Sequence, residues 1–314
     1  MINRWIELDM NKLVDKALKN DRVAIGRLLT FVERDPRRAG EILSLLPEDG
    51  EYHIIGITGI PGSGKSTLLS KLLYRYSKRG FRCGVVAIDP SSAFSRGALL
   101  GDRIRMQMHA TNPNIFIRSV ATRGLKGGLS FAGVAMVDIL GRLGFDKVFI
   151  ESIGVGQADV DIMGIADTIV VVVVPGLGDD IQALKAGVME IGDIYVINKV
   201  DKSLEEANKT YEYLKFAIES GEIGGGEWIP KIVKTSAVMD EGIDRLTKYI
   251  DEHLETIIKS GDIIRKRDIR KKILVRLLAE KIFIDRLESI DINATSGNFY
   301  EEAVRLLKRV IEPS

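Results

Sequence analysis

The sequence predicts an α/β fold: a mostly parallel sheet with helices on both faces, plus helical extensions at each end. Three observations carry this. From Tyr52 to about residue 258, short apolar runs alternate with longer amphipathic stretches. Strand–helix alternation of this kind builds parallel sheets covered on both sides. A Gly-rich turn, Gly59-Ile60-Pro61-Gly62-Ser63-Gly64-Lys65-Ser66, separates the first apolar run from the first amphipathic stretch. Outside this region the strand pattern is replaced by helical spacing.

Residues 1–47 read as a helical N-terminal extension. Ile25, Leu28, Leu29 and Val32 fall at i, i+3, i+4 and i+7, one buried helix face. Asp21 is placed to cap that helix, and Asp35-Pro36 to separate it from the next. Residues 48–258 form the sheet domain. Strands are expected at Ile54–Thr58, Gly84–Ile88, Ile115–Ile117, Val148–Ile150, Ile169–Val174, Ile194–Ile197 and Ile232–Val233. Helices are expected at Ser66–Arg79, Ala132–Leu143, Leu204–Ile218 and Ile243–Ile258. The uninterrupted Val170–Val174 belongs in the sheet centre, apolar on both faces. Residues 259–314 form a helical C-terminal arm. Ile273, Val275, Leu277, Leu278, Ile282 and Leu287 recur along its first helix, and a second helix is expected near Tyr300–Ile311. The arm is too small to hold its own core. It packs on the sheet domain or finds a partner chain, and dimerisation is the expectation.

Composition narrows the function. Among 314 residues, 45 Lys and Arg face 44 Asp and Glu, a net charge of +1. Non-specific nucleic-acid binding needs a strong basic excess, so no nucleic-acid partner is expected. The single cysteine, Cys83, excludes an internal disulfide framework and points to a reducing compartment. Met1 to Arg22 is charged throughout, unlike a signal peptide, and no apolar run reaches the ~20 residues that span a bilayer. A soluble cytoplasmic protein without membrane contact is expected.

The Gly-rich turn fits G-x-x-x-x-G-K-[ST] at every fixed position and lies between a strand and a helix, as the motif requires. Its glycines let the backbone curl so that successive N–H groups face one anion. The helix start adds unpaired N–H groups and the positive dipole end. The fold is thereby a P-loop NTPase. Lys65 would contact the β- and γ-phosphates and Ser66 would give its hydroxyl to Mg²⁺. Gly59, Pro61, Gly62, Ser63, Gly64 and Thr67 complete the phosphate-binding set.

Asn198-Lys199-Val200-Asp201 follows a late apolar strand. A carboxylate there accepts two hydrogen bonds from the N1–H and exocyclic amine of guanine, a donor pair adenine lacks. An unpaired buried carboxylate would cost at least ~1–3 kcal/mol, so Asp201 discriminates by penalty as well as attraction. Asn198 would brace the neighbouring loop, and the Lys199 stem would lie over the purine. Thr235-Ser236-Ala237 follows the next strand, and the Ser236–Ala237 backbone would meet the guanine carbonyl.

A P-loop site needs acidic groups near Mg²⁺, often through water. Asp89 ends the second strand, Asp102 lies in Gly101-Asp102-Arg103, and Glu151 begins Glu151-Ser152-Ile153-Gly154. The last segment matches the D-x-x-G of GTPases with Glu for Asp. The Gly154 N–H would sense the γ-phosphate, and Gln157 would orient water. Arg123 and Lys185 are the candidate charge stabilisers, since no arginine finger is evident in cis.

This combination resembles the methylmalonyl-CoA mutase-associated GTPases, also described as the arginine/ornithine transport ATPase-like branch of the metallochaperone GTPases. The resemblance rests on the P-loop segment, Asp89-Pro-Ser-Ser, Leu100-Gly-Asp-Arg-Ile-Arg-Met106, Glu151-Ser-Ile-Gly-Val-Gly-Gln157 and Val174-Pro-Gly-Leu-Gly-Asp-Asp-Ile-Gln-Ala-Leu-Lys-Ala-Gly187. It spans about residues 10–260. Ser152-Ile153 stands where the family more usually has Thr-Val. The resemblance implies a GTP-hydrolysing chaperone that protects an adenosylcobalamin-dependent acyl-CoA mutase and gates its cofactor loading. It further implies a homodimer joined through the C-terminal arm, and Lys65, Ser66, Asp89, Asp102 and Glu151 as phosphate and Mg²⁺ residues. Two alternatives compete. A nickel-delivery GTPase wants Cys or His ligands near the nucleotide, and only Cys83, His53, His109 and His253 exist. A kinase or ATPase for basic amino-acid transport conflicts with the guanine-reading tetrad.

Overall fold

A computed structural model of the chain describes residues 2–48, 50–89, 111–121, 131–152, 164–176, 190–224, 227–290 and 299–311. Seven strands, β1 (His53–Gly59), β2 (Cys83–Asp89), β3 (Ile115–Ala121), β4 (Lys147–Glu151), β5 (Thr168–Val173), β6 (Ile194–Asn198) and β7 (Lys231–Thr235), form one sheet in the order β3-β2-β4-β1-β5-β6-β7. Every pairing is parallel. Parallel neighbours need crossover connections, and the helical stretches supply them. The expected strands are all present. β3 runs four residues past its apolar start because Arg118, polar in sequence, is paired with Glu33 at 2.6 Å.

Three helices precede the sheet: α1 (Ile2–Leu18), α2 (Arg22–Arg34) and α3 (Pro36–Leu45). Asp21 caps α2 by accepting from the Val23 and Ala24 N–H groups, and Asp35 caps α3 through the Arg37 N–H. Pro36 sits in the first turn of α3, where its missing N–H costs no hydrogen bond. Within the sheet domain lie α4 (Lys65–Lys78), α5 (Phe131–Arg142), α6 (Leu204–Glu219) and α7 (Ile243–Lys259). The long α8 (Asp262–Ser289) and the short α9 (Phe299–Ile311) follow.

The strands feed two cores by alternation. Ile55, Ile57, Val170 and Val172 join Leu68, Leu69, Leu72 and Tyr76 of α4 and Leu246 and Ile250 of α7. Ile54, Val171 and Val173 face the other way, among residues of α2, α3, α5 and α6. An unbroken apolar run such as Val170–Val173 is what a strand buried on both faces requires.

The N-terminal rim of the sheet is polar and closed. Lys147 Nζ donates to His53 Nδ1 at 3.3 Å, so His53 carries its proton on Nε2 and donates to Thr168 Oγ1 at 2.6 Å. The Thr168 hydroxyl then donates to His253 Nδ1 at 2.7 Å, and His253 Nε2 faces Asp193 Oδ1 at 3.3 Å. Burial first, then the Lys147 charge, holds His53 well below the usual histidine value of 6.5. This chain ties β1, β4 and β5 to α7.

Helix α8 docks on the same rim. Arg270, buried, donates to the Ile165 carbonyl at 2.7 Å and pairs with the fully buried Asp167 at 3.1 Å. Lys266 donates to the Asp167 carbonyl at 2.9 Å. Ile273, Leu274, Leu277 and Leu278 then pack against the core. The first half of the C-terminal segment therefore lies on the sheet domain. Beyond it, α9 packs on α8 while leaving Phe299 and Tyr300 exposed.

Candidate functional site

The opposite rim, where the strands end, gathers the predicted residues. A parallel sheet places its ligand-binding loops at these carboxyl ends. The P-loop leaves β1 at Gly59 and enters α4 at Lys65. Gly64 adopts φ +94°, and a Cβ there would lie 2.5 Å from the Asn198 side-chain nitrogen. Only glycine satisfies both demands. No side chain caps α4, so its first-turn N–H groups are left for an anion.

Several loop carbonyls accept from side chains. Lys65 Nζ donates to Gly59 at 2.7 Å and Ile60 at 3.1 Å, and Lys199 Nζ donates to Gly62. Asn198 Nδ2 donates to the Ser63 carbonyl at 2.8 Å. Two cations thus lie against the phosphate loop. Ser63 is buried, and its hydroxyl has no hydrogen-bond partner among the described residues. Thr67 occupies the first turn of α4, and Pro61 and Gly62 form the outer part of the loop.

The residues expected to face the base meet this loop through Asn198. Its Oδ1 accepts from Thr235 Oγ1 and the Ala237 N–H, both at 3.1 Å. One amide therefore joins the phosphate loop, β7 and the Ser236–Ala237 turn. Lys199 has φ +65°, an uncommon conformation for a residue with a side chain, fixed where β6 turns outward. Asp201 accepts from the Ser236 hydroxyl, which in turn accepts from the Met239 N–H at 3.3 Å.

The acidic candidates divide. Ser66 Oγ donates to Glu151 Oε1 at 2.7 Å, which brings the hydroxyl and carboxylate expected at Mg²⁺ into contact. Glu151 ends β4 beside Ile57 of β1 and is buried. The next residue is fixed too, since Ser152 Oγ donates to Thr58 Oγ1 at 3.1 Å. Asp89 ends β2, its backbone in register with Ala121, but its side chain is not among those described. Asp102, Arg123, Gly154, Gln157 and Lys185 lie outside the described residues. A Mg²⁺ that keeps part of its water shell and binds substrate phosphates needs only one or two protein ligands, so the Ser66–Glu151 pair fits it.

Sequence reasoning missed three partners. Thr235 Oγ1 orients Asn198, Thr58 braces Ser152, and Arg75 of α4 binds Asp240 and Asp244 just after the base-facing turn. Thr235 belongs to the noted Thr235-Ser236-Ala237 run, but its bond to Asn198 spans 37 residues. The other two had no local signal, because each contact spans more than 90 residues.

The chain is similar to several known proteins in sequence and in fold. A sequence profile described as "Methylmalonyl Co-A mutase-associated GTPase MeaB" matches residues 25–291. A Pyrococcus abyssi protein named as a GTPase is 46% identical over 307 residues, covering 97% of this chain and 93% of its own. The Caenorhabditis elegans protein "Methylmalonic aciduria type A homolog, mitochondrial" is 32% identical, covering 84% and 70%. GTPase ArgK of Escherichia coli is 29% identical, covering 98% and 93%. The solved structure of a "LAO/AO transport system kinase" superposes with TM-score 0.68 at 23% identity over 96% of this chain and 98% of that one, a likeness of fold.

Proposed function

The chain belongs to the MeaB family of methylmalonyl-CoA mutase-associated GTPases, and from that premise we propose that it is a Mg²⁺-dependent GTP hydrolase acting as a chaperone. Its partner, in this reading, is an adenosylcobalamin-dependent acyl-CoA mutase, which it protects and whose cofactor loading it gates. The observation that carries the nucleotide part is Asn198, whose one amide binds the phosphate loop at Ser63 and the base-facing turn at Ala237.

The roles follow from chemistry. Lys65 neutralises the β- and γ-phosphates from inside the loop. Asp201, oriented by Ser236, accepts from guanine, and the Ala237 region meets the guanine carbonyl. Ser66 and Glu151 would hold Mg²⁺, with Asp89 and Asp102 as further ligands through water. The ion, when bound, withdraws charge from the phosphates. Gly154 would sense the γ-phosphate, Gln157 would orient the attacking water, and Arg123 and Lys185 are the candidate charge stabilisers. Intrinsic turnover is slow in this reading, because a missing arginine finger costs about 10³–10⁵ in rate.

Homodimerisation through the C-terminal arm is part of the proposal, with the exposed Phe299 and Tyr300 of α9 as its apolar contribution. So is a cytoplasmic location, which the lone Cys83 favours. No helix among the described residues is long and apolar enough to cross a membrane.

The test pairs binding with turnover. Fluorescent GTP should bind in the presence of Mg²⁺ and resist competition by ATP. Hydrolysis should rise when a purified adenosylcobalamin-dependent acyl-CoA mutase is added in excess. Equal competition by ATP would remove the guanine assignment. Turnover indifferent to the mutase would remove the partner.

A further inference from the structure

The turn expected to face the base is anchored in the core only at its start, where Ser236 and Ala237 are buried and Ala237 joins the apolar cluster beneath α4 and α7. It spans Ser236 to Glu241, closed by reciprocal backbone hydrogen bonds between those two residues at 3.2 and 3.0 Å. Its middle residues, Val238 and Met239, are 75% and 62% exposed. Beyond Ala237, hydrophobic burial therefore does not decide where the turn sits, and polar ties must.

Those ties run to both ends of the site. On the base side, Ser236 and Ala237 bind Asp201 and Asn198. On the far side, Asp240 at the tip has φ +64° and accepts from Arg75 Nη2 at 2.9 Å. Lys71 Nζ lies 3.6 Å from the other oxygen of Asp240. Arg75 Nε reaches Asp244, in the first turn of α7, at 2.7 Å. Between the two carboxylates lies Gly242, with φ +75°, where a Cβ would come within 2.2 Å of the Lys234 carbonyl. One guanidinium thus spans the tip of the turn and the start of the next helix, a fork geometry that lysine cannot copy.

Arg75 belongs to α4, the helix whose N-terminus carries Lys65 and Ser66. Ten residues separate Arg75 from Lys65, about 15 Å of helix. The phosphate end and the base end of the site therefore hang on one rod.

We propose that Arg75 is a positioning residue for the purine base: from the phosphate-binding helix it holds the Ser236–Glu241 turn so that Ser236 sets Asp201 to read guanine. The inference rests on the guanine-nucleotide reading above. Arg75 acts through the turn and does not touch the nucleotide. Its removal should loosen base discrimination while the phosphate contacts of Lys65 and Ser66 persist.

Discrimination between GDP and inosine diphosphate measures this directly, because inosine lacks the exocyclic amine that Asp201 accepts from. The ratio of the two affinities should fall about two- to fivefold in Arg75→Ala, the range expected for loss of a partly exposed ion pair. Asp240→Ala should lower the ratio similarly, and the double variant should lower it no further. Arg75→Lys should be intermediate. A merely structural role would shift the melting temperature and leave the ratio alone. Asp240→Asn keeps the size of the side chain and stands in if Arg75→Ala does not fold. A wild-type ratio in folded Arg75→Ala or Asp240→Asn overturns the proposal. If the unaltered protein takes ADP as readily as GDP, the guanine reading itself falls, and that outcome is recognised before any variant is made.

Discussion

Truncating Asn198 to alanine tests whether the phosphate loop and the base-facing turn work as one site. The side chain is 1% exposed and makes three hydrogen bonds: Nδ2 to the Ser63 carbonyl at 2.8 Å, and Oδ1 from Thr235 Oγ1 and the Ala237 N–H, each at 3.1 Å. At about 1 kcal/mol net apiece, Asn198→Ala removes about 3 kcal/mol of structure at the rim. That sum bounds the loss of nucleotide affinity at roughly a hundredfold, since 1.4 kcal/mol is a factor of ten. The loss should depend on the ligand. GDP spans both halves of the site and benefits from their fixed spacing, whereas pyrophosphate touches only the phosphate loop. Calorimetric titration of Asn198→Ala should show GDP weakened about ten- to a hundredfold and pyrophosphate by less than about threefold. Urea unfolding of the same variant reports the part of the 3 kcal/mol that appears as stability. Equal weakening of both ligands, or of neither, would refute the claim that Asn198 couples two half-sites.

Lys65→Ala should cut GTP hydrolysis by at least about a hundredfold, because it removes the cation nearest the phosphates; turnover at the wild-type rate would withdraw the P-loop assignment. Asp201→Asn should move preference from guanine toward xanthine nucleotides, since an amide donates where a carboxylate only accepts, and competition by XTP measures the shift. His53 resists protonation in the fold, while the unfolded chain takes up that proton near pH 6.5. Its contribution to stability is therefore complete above about pH 6.5 and is lost below it, at up to about 1.4 kcal/mol per pH unit. His53→Gln, which offers both a donor and an acceptor without titrating, should flatten that slope in urea midpoints, and identical slopes would disprove the assignment. Removing residues 290–314 spares Arg270 and its partners and should convert a dimer to a monomer in light scattering, whereas a monomeric full-length chain would sink the dimer proposal.

Local sequence carried most of the fold because its signals are local. The strand, turn and helix of the phosphate loop lie within 26 consecutive residues, His53 to Lys78, and Gly59, Gly62 and Gly64 each take a positive φ. Asn198 and Ser236-Ala237 were legible because each follows a strand whose order in the chain was already clear. What stayed hidden was polar and distant. Arg270 sits in a run of basic residues that reads as a solvated face, yet its partner Asp167 lies 103 residues away. A buried arginine leaves no apolar periodicity, so nothing in the sequence chose between docking of α8 on the sheet domain and a partner chain for Ile273, Leu277 and Leu278. Arg118 hid the last four residues of β3 for the same reason. His53, Thr168 and His253 each look ordinary alone. Only the sheet register, which sets His53 beside Lys147 and Thr168 two positions along from it across β1 and β5, makes them a chain.

The two rims of the sheet obey different physics, and that difference locates function. At the N-terminal rim, polar groups are buried and saturate one another. Asp167 accepts from Arg270 and the Ile54 N–H, and the two histidines pass hydrogen bonds between Lys147 and Asp193. Removing one partner of a buried pair such as Arg270–Asp167 costs about 3–5 kcal/mol, so such a network resists rearrangement and suits a fixed foundation. At the C-terminal rim, the bonds of Lys65 and Lys199 end on carbonyls of a glycine-bearing loop, and Ser66 ends on Glu151. The lysines can exchange a carbonyl for a phosphate oxygen, and the Glu151 carboxylate can exchange the Ser66 hydroxyl for a metal-bound water. β1 joins the rims, with His53 at one end and Gly59 at the other, about 20 Å apart at the rise of an extended strand. A rigid floor beneath an exchangeable rim is what ligand-driven switching requires, because binding energy then goes into rearranging the loops and not into deforming the sheet.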